Sequence, residues 1–135
     1  MSAGKFSFTI EQGATTDFEI IFNGSDGVPV NFSGYEAAMQ IRDSKNGSIL
    51  YATLTSTLGD TYVKSKNASF LSLSGSSLTN PLSSGSIGVY LGYEVTDAFD
   101  FREAFYDLEL TNGAERIRLV EGKVNNTEQV TLINP

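Results

Sequence analysis

The stretch Tyr106–Val124, YDLELTNGAERIRLVEGKV, decides the fold. Tyr106 and Leu108 alternate with Asp107 and Glu109 before Asn112-Gly113, and Ile117 and Leu119 alternate with Arg116 and Arg118 after it. A period of two marks half-buried β-strand, because successive side chains leave opposite faces of the backbone. Asn-Gly is favoured in tight hairpins, where both central residues take positive φ. Counting outward from that turn pairs Leu110 with Glu115, Glu109 with Arg116, Leu108 with Ile117, Asp107 with Arg118 and Tyr106 with Leu119. One face becomes a core surface of Tyr106, Leu108, Ile117 and Leu119, and the other sets acids against arginines. A slip of one residue would bury the charges. Exposed cross-strand pairs contribute roughly 0.2–1 kcal/mol each, so these charges hold a sheet and carry no chemistry.

The same period runs through most of the chain. Phe6, Phe8 and Ile10 share a side, and Phe18, Ile20 and Phe22 face away from Asp17 and Glu19. Tyr35, Ala37, Met39 and Ile41 oppose Glu36, Gln40 and Arg42. Further strands are expected at 48–54, 61–64, 68–72 and 86–95, and in the closing TEQVTLI (127–133). In 86–95, Ile87, Val89, Leu91, Tyr93 and Val95 fall on one face. Turn signals NGSDG (23–27), KNG (45–47) and LGD (58–60) separate them. About seven to nine short strands punctuated by Gly and Asn predict an all-β protein, an antiparallel sandwich or barrel. The polar segment SGSSLTNPLSSG (74–85) leaves room for at most one short helical turn, near 78–82.

The length, 135 residues, suits one domain over 1–135, with residues 1–5 as a flexible or partner-docking arm. A net charge of −7 makes phosphate backbones and anionic membranes poor partners, so neither nucleic acid nor membrane is expected. The nine basic residues form no run along the sequence. Neither Cys nor His is present, which removes disulfides, thiolate nucleophiles, Cys/His metal sites and the commonest general base. The acidic loops lack the alternating ligands and closing Glu of a calcium loop. A glycosidase would need two carboxylates at a set separation across a cleft, a requirement that an acid-rich surface does not meet by itself. No catalytic, cofactor-binding or metal residue is assigned, and no enzyme activity is expected. The opening MSAGKFSFTIEQG holds neither a signal-peptide pattern nor a membrane-length apolar run.

Four aromatics are candidate interface residues: Tyr90, Tyr93, Phe99 and Phe101. Tyr90 is flanked by Gly88 and Gly92, which suits either an exposed stacking platform or close approach of a neighbouring segment. Phe99 and Phe101 lie in the connection TDAFDFRE (96–103), first as a plug for the core and second as an interface.

The order of segments adds a resemblance. The chain runs through Asp26-Gly27-x-Pro29-Val30, Gly34 and Met39-x-Ile41-Arg42. It finishes with Tyr106-Asp107-Leu108-x-Leu110, then Arg118-Leu119-x-x-Gly122-x-Val124, then Val130-Thr131. This resembles small β-sandwich modules of tailed-bacteriophage virions, similar to the N-terminal domain of baseplate upper proteins and to tail-fibre adaptor proteins. Asn31-Phe32-Ser33 stands where that family shows Asp-Leu-Thr. The resemblance implies an immunoglobulin-like sandwich acting in the virion, in the tail region. Its expected partners are tail, baseplate or fibre subunits and further copies of itself, after synthesis in the host cytoplasm. The segment 96–102 and the arm before Phe6 would be its contact patches. Two alternatives are a carbohydrate-binding sandwich that stacks sugars on Tyr90, Tyr93 or Phe101, and a head decoration or neck protein of the same fold.

Overall fold

In the computed structural model, which describes residues 4–44, 47–56 and 63–129, the alternating segments form nine strands in two facing sheets. They are β1 Gly4–Lys5, β2 Phe8–Glu11, β3 Thr16–Ile21, β4 Glu36–Arg42, β5 Leu50–Thr55, β6 Ser69–Ser72, β7 Ser86–Leu91, β8 Glu103–Thr111 and β9 Arg116–Thr127. The larger sheet runs β1-β9-β8-β4-β5, with β2 also on β9, and the smaller runs β3-β7-β6. An order of β9-β8-β4-β5 opposite β3-β7-β6 is that of an immunoglobulin-like sandwich, as expected.

Burial follows the predicted faces. Ala37, Met39 and Ile41 of β4, Ala104, Tyr106, Leu108 and Leu110 of β8, and Ile87, Val89 and Leu91 of β7 all enter the core. Phe32 is completely buried. Its neighbours form a local turn: Asn31 Oδ1 accepts the Ser33 N–H at 2.9 Å, and Gly34 follows at φ +82. An Asn side chain bonded to the backbone two residues on is a common way to close a turn.

Several expectations are corrected. The pairing is not wholly antiparallel, because β1 and β2 both run parallel to β9. Gly4 and Lys5 are therefore part of the sheet, while residues 1–3 lie outside the described residues. The strand expected at 86–95 stops at Leu91, and Tyr93–Asp97 is a short helix, α1. Gly92 packs against the backbone of Ser65 and Lys66, and the chain turns there. Thr96, completely buried, then gives its hydroxyl to the Ala14 carbonyl at 2.8 Å, a contact that a continued strand could not make. A 3₁₀ turn at Leu82–Ser84 begins at the end of the expected place, so among the described residues the helical segments are two. Of the strand expected at 61–64, residues 63 and 64 are not strand and the rest lies outside the described residues, as do Val130 and Thr131.

The hairpin exists, but its register moves. Thr111 faces Arg116, Leu110 faces Ile117 and Glu109 faces Arg118. Asn112 Oδ1 accepts the N–H groups of Ala114 and Glu115, so Asn112 caps the turn without taking positive φ, and of this pair only Gly113 does, at +91. The turn thus centres one residue later, and a two-residue shift in pairing keeps the same faces inward. Beyond it, Leu108 pairs with Val120, which leaves Leu119 as the extra residue of a bulge. The bulge swaps the faces of β9: Val120 and Val124 become core, Gly122 comes opposite Tyr106, and Leu119 is only half-buried. The ion pair predicted between Asp107 and Arg118 forms diagonally, at 3.3 Å.

Gly122 has a further use. A Cβ there would overlap the carbonyl oxygen of Phe6, which also accepts the Tyr106 hydroxyl at 2.6 Å. We expect Gly122→Ala to destabilise by about 1–3 kcal/mol through overpacking. Gly113→Ala, with open space around it, should cost only about 1 kcal/mol for its positive φ. Urea titrations of the two variants check the ranking. Burial also raises the Tyr106 phenol above its ordinary value of 10.0. The unfolded chain then loses this proton first as pH rises, so stability should fall above about pH 10, and Tyr106→Phe should lessen that fall.

Candidate contact surface

The two sheets differ in what covers their outer faces. On the smaller sheet, Tyr90 is 6% exposed, stacks on Phe70 at 5.2 Å and donates its hydroxyl to the Ser65 carbonyl at 3.0 Å. A Cβ on Gly88 would lie 2.7 Å from the carbonyl carbon of Gly75. The segments around residues 65 and 75 therefore lie on this face, which explains why all six residues of β7 are buried. Between its two glycines Tyr90 is covered by the chain, the close-approach alternative for that triplet. Phe99 and Phe101 are buried as a plug, with Phe101 on Tyr51 at 4.5 Å and on Phe99 at 5.2 Å. Tyr93, on α1, remains 40% exposed. The four aromatics do not make one patch, and three of them have no free ring face to offer a partner.

The outer face of the larger sheet is different. Odd-numbered residues of β8 point outward beside even-numbered residues of β4, and Lys5, Arg42, Arg116, Arg118 and Lys123 all lie on this face. Basic residues without a run in the sequence are thus gathered in space by register, which the sequence reading missed. Glu36, Glu103, Asp107, Glu109 and Glu121 lie among them. Lys5 meets Glu121 at 3.2 Å, Lys123 meets Glu103 at 3.8 Å, and Arg118 bridges Asp107. The Lys123 ammonium also lies 5.9 Å from the centre of the Phe105 ring. Arg42 donates to Gln40 Oε1 at 2.9 Å and to the Gly47 carbonyl at 3.1 Å. Lys5, Arg42, Arg118 and Lys123, with Gln40, Phe105, Asp107, Glu109 and Glu121, line an open trough of about 560 Å³.

This arrangement can bind by matching charge and shape. Its acids sit beside bases on an open sheet, without an enclosed cleft to isolate a reacting group. Among the described residues no three His, Cys, Asp or Glu side chains gather as metal ligands, and no helix is long and apolar enough to cross a membrane. The signal that could have found the face was the odd-numbered series Glu103, Phe105, Asp107 and Glu109, but only a correct register sets it beside Lys123 and Arg42.

The chain matches no protein-family profile and no curated protein.

The contrast between the faces has a measurable consequence. Tyr90→Ala should lose roughly 3–5 kcal/mol, the usual cost of removing a buried aromatic. Lys123→Ala, at an exposed ion pair, should change stability by no more than about 1 kcal/mol. Equilibrium unfolding of both variants decides whether Tyr90 is core or surface.

Proposed function

We propose that the chain is a structural protein of a tailed-bacteriophage virion that joins tail, baseplate or fibre subunits by protein–protein contact, without catalysing a reaction. Two supports combine. The order of sequence motifs resembles that of such modules, and the fold is the sandwich that the resemblance implies. The observation that carries the contact reading is the open outer face of the larger sheet, where both charge signs surround Phe105. A surface of this kind favours a partner of complementary pattern and rejects one whose charges fall out of step. Repetition around a symmetric tail is part of the proposal, since virion modules act in many copies.

The carbohydrate-binding alternative keeps only Tyr93 of its three rings, because Tyr90 and Phe101 are buried. A decoration or neck position keeps the same mechanism and changes only the neighbours.

Purified particles provide the test. The protein should remain with intact virions through density-gradient separation and occupy defined density in a particle map. Its absence from washed particles, with the protein found only as a soluble product of infected cells, would overturn the virion reading.

A further inference from the structure

β3 is the edge of the smaller sheet, and among the described residues no strand pairs with its outer side, which has the geometry of an acceptor for another strand. Its partner on the other side is β7, in the register Thr16↔Leu91 through Ile21↔Ser86 with no bulge. Phe22 continues that ladder by donating its N–H to the Gly85 carbonyl at 2.7 Å. Antiparallel pairing alternates, so Thr16, Phe18 and Ile20 aim their backbone groups at β7. Asp17, Glu19 and Ile21 aim theirs outward, away from the sheet. Natural sheets blunt such edges by shortness, proline, bulges or covering segments. β3 is six residues long, TDFEII, and has neither proline nor bulge. Among the described residues the other edges are poorer acceptors. β6 has four residues, β5 is as long as β3 but carries a bulge at Tyr51 against β4, and the β1–β2 edge is split at Phe6-Ser7.

We infer that β3 accepts an extended segment of a partner protein as an added antiparallel strand, basic on its outward side chains and apolar on its inward ones. Charge sets the outward half of this pattern. Asp17 and Glu19 both leave the outer side of β3, and their carboxylates already attract donors: Lys64 at 2.9 Å from Asp17, and the Ser86 hydroxyl and Ser76 N–H at Glu19. A second copy of β3 would bring acids against acids, in a chain of net charge −7, so self-pairing is disfavoured. The seam between the sheets sets the inward half. Phe18 is only partly buried there, and Phe6 beside it, 6.1 Å between ring centres, is 39% exposed. Inward apolar side chains of an added strand would cover both rings. Strand addition of this kind takes affinity from backbone hydrogen bonds and selectivity from alternate side chains. The inference rests on the reading of the chain as a contact module and names the chemistry of one partner segment.

The probe is a short synthetic peptide that alternates Val with Lys, compared with one that alternates Val with Glu. We expect the Lys peptide to bind the full chain and slow amide exchange at Asp17, Glu19 and Ile21. Ile21→Pro deletes one outward N–H at an exposed side chain, a position where edge strands tolerate proline, and should weaken binding roughly tenfold. Asp17→Lys tests the same edge without touching the backbone and should erase the preference for Lys over Glu. Protection on a different strand, equal binding of both peptides by the unaltered chain, or full affinity in Ile21→Pro overturns the inference. A particle that carries the protein while its β3 amides exchange freely removes this inference alone. Absence of the protein from particles removes the virion location and leaves the peptide result standing.

Discussion

Because residue 122 has no side chain, the carbonyl of Phe6 can lie against β9 where a Cβ would otherwise stand. That close approach lets the N-terminal strand follow β9 in one continuous parallel register, from Gly4↔Val120 to Glu11↔Thr127. The Tyr106 hydroxyl holds the same carbonyl from the core side, while Phe6 takes its N–H bond from the Glu121 carbonyl at 3.0 Å. The rings of Phe8 and Tyr106 then meet at 5.1 Å, and Phe8 meets Phe18 of the opposite sheet at 5.0 Å. One missing methyl group therefore sets the edge of the larger sheet and, through an aromatic chain, the spacing of the two sheets along that seam.

The two outer faces follow different rules. The smaller sheet uses glycines to let connecting segments lie on its surface, so its central strand is dry on both sides. The larger sheet leaves its charged face open and balances it internally. An acidic protein gains from this division. Its excess of negative charge falls on the ends, the loops and the β3 side, so a partner can distinguish the two flanks by electrostatics alone.

Strand faces were legible in the sequence wherever a segment alternated cleanly. Ala37, Met39 and Ile41 are buried as their pattern implies, and so are Tyr106, Leu108 and Leu110. What the pattern could not carry was register. A two-residue period is unchanged by a two-residue shift, so choosing between turns centred on Asn112-Gly113 and on Gly113-Ala114 required the Asn112 side chain in place. The bulge at Leu119 has no compositional mark either. The helix at Tyr93–Asp97 was hidden because Tyr93 and Val95 continue the alternation of β7, and only the packing of Gly92 against Lys66 breaks it. Of the charged face the hairpin gave Asp107 and Glu109 beside Arg116 and Arg118, while Lys5, Arg42 and Lys123 join it only through the true register of four strands. Tyr90 shows the converse: its flanking glycines were visible, and which of two meanings they had depended on segments far away in sequence.

The pairing of the first strand with the last also orders the birth of the molecule. Ser7 and Lys123, bonded across the seam, are 116 residues apart. Bringing such distant points together costs roughly 4 kcal/mol of chain entropy before any contact repays it. Local hairpins such as β8–β9 and β4–β5 escape that cost, so the topology favours forming them before the edge closes. On the ribosome the opening segment, with Phe6, Phe8 and Ile10, must wait unpaired until β9 has emerged. Its brevity and its interruption at Phe6-Ser7 limit what that waiting segment can wrongly adhere to.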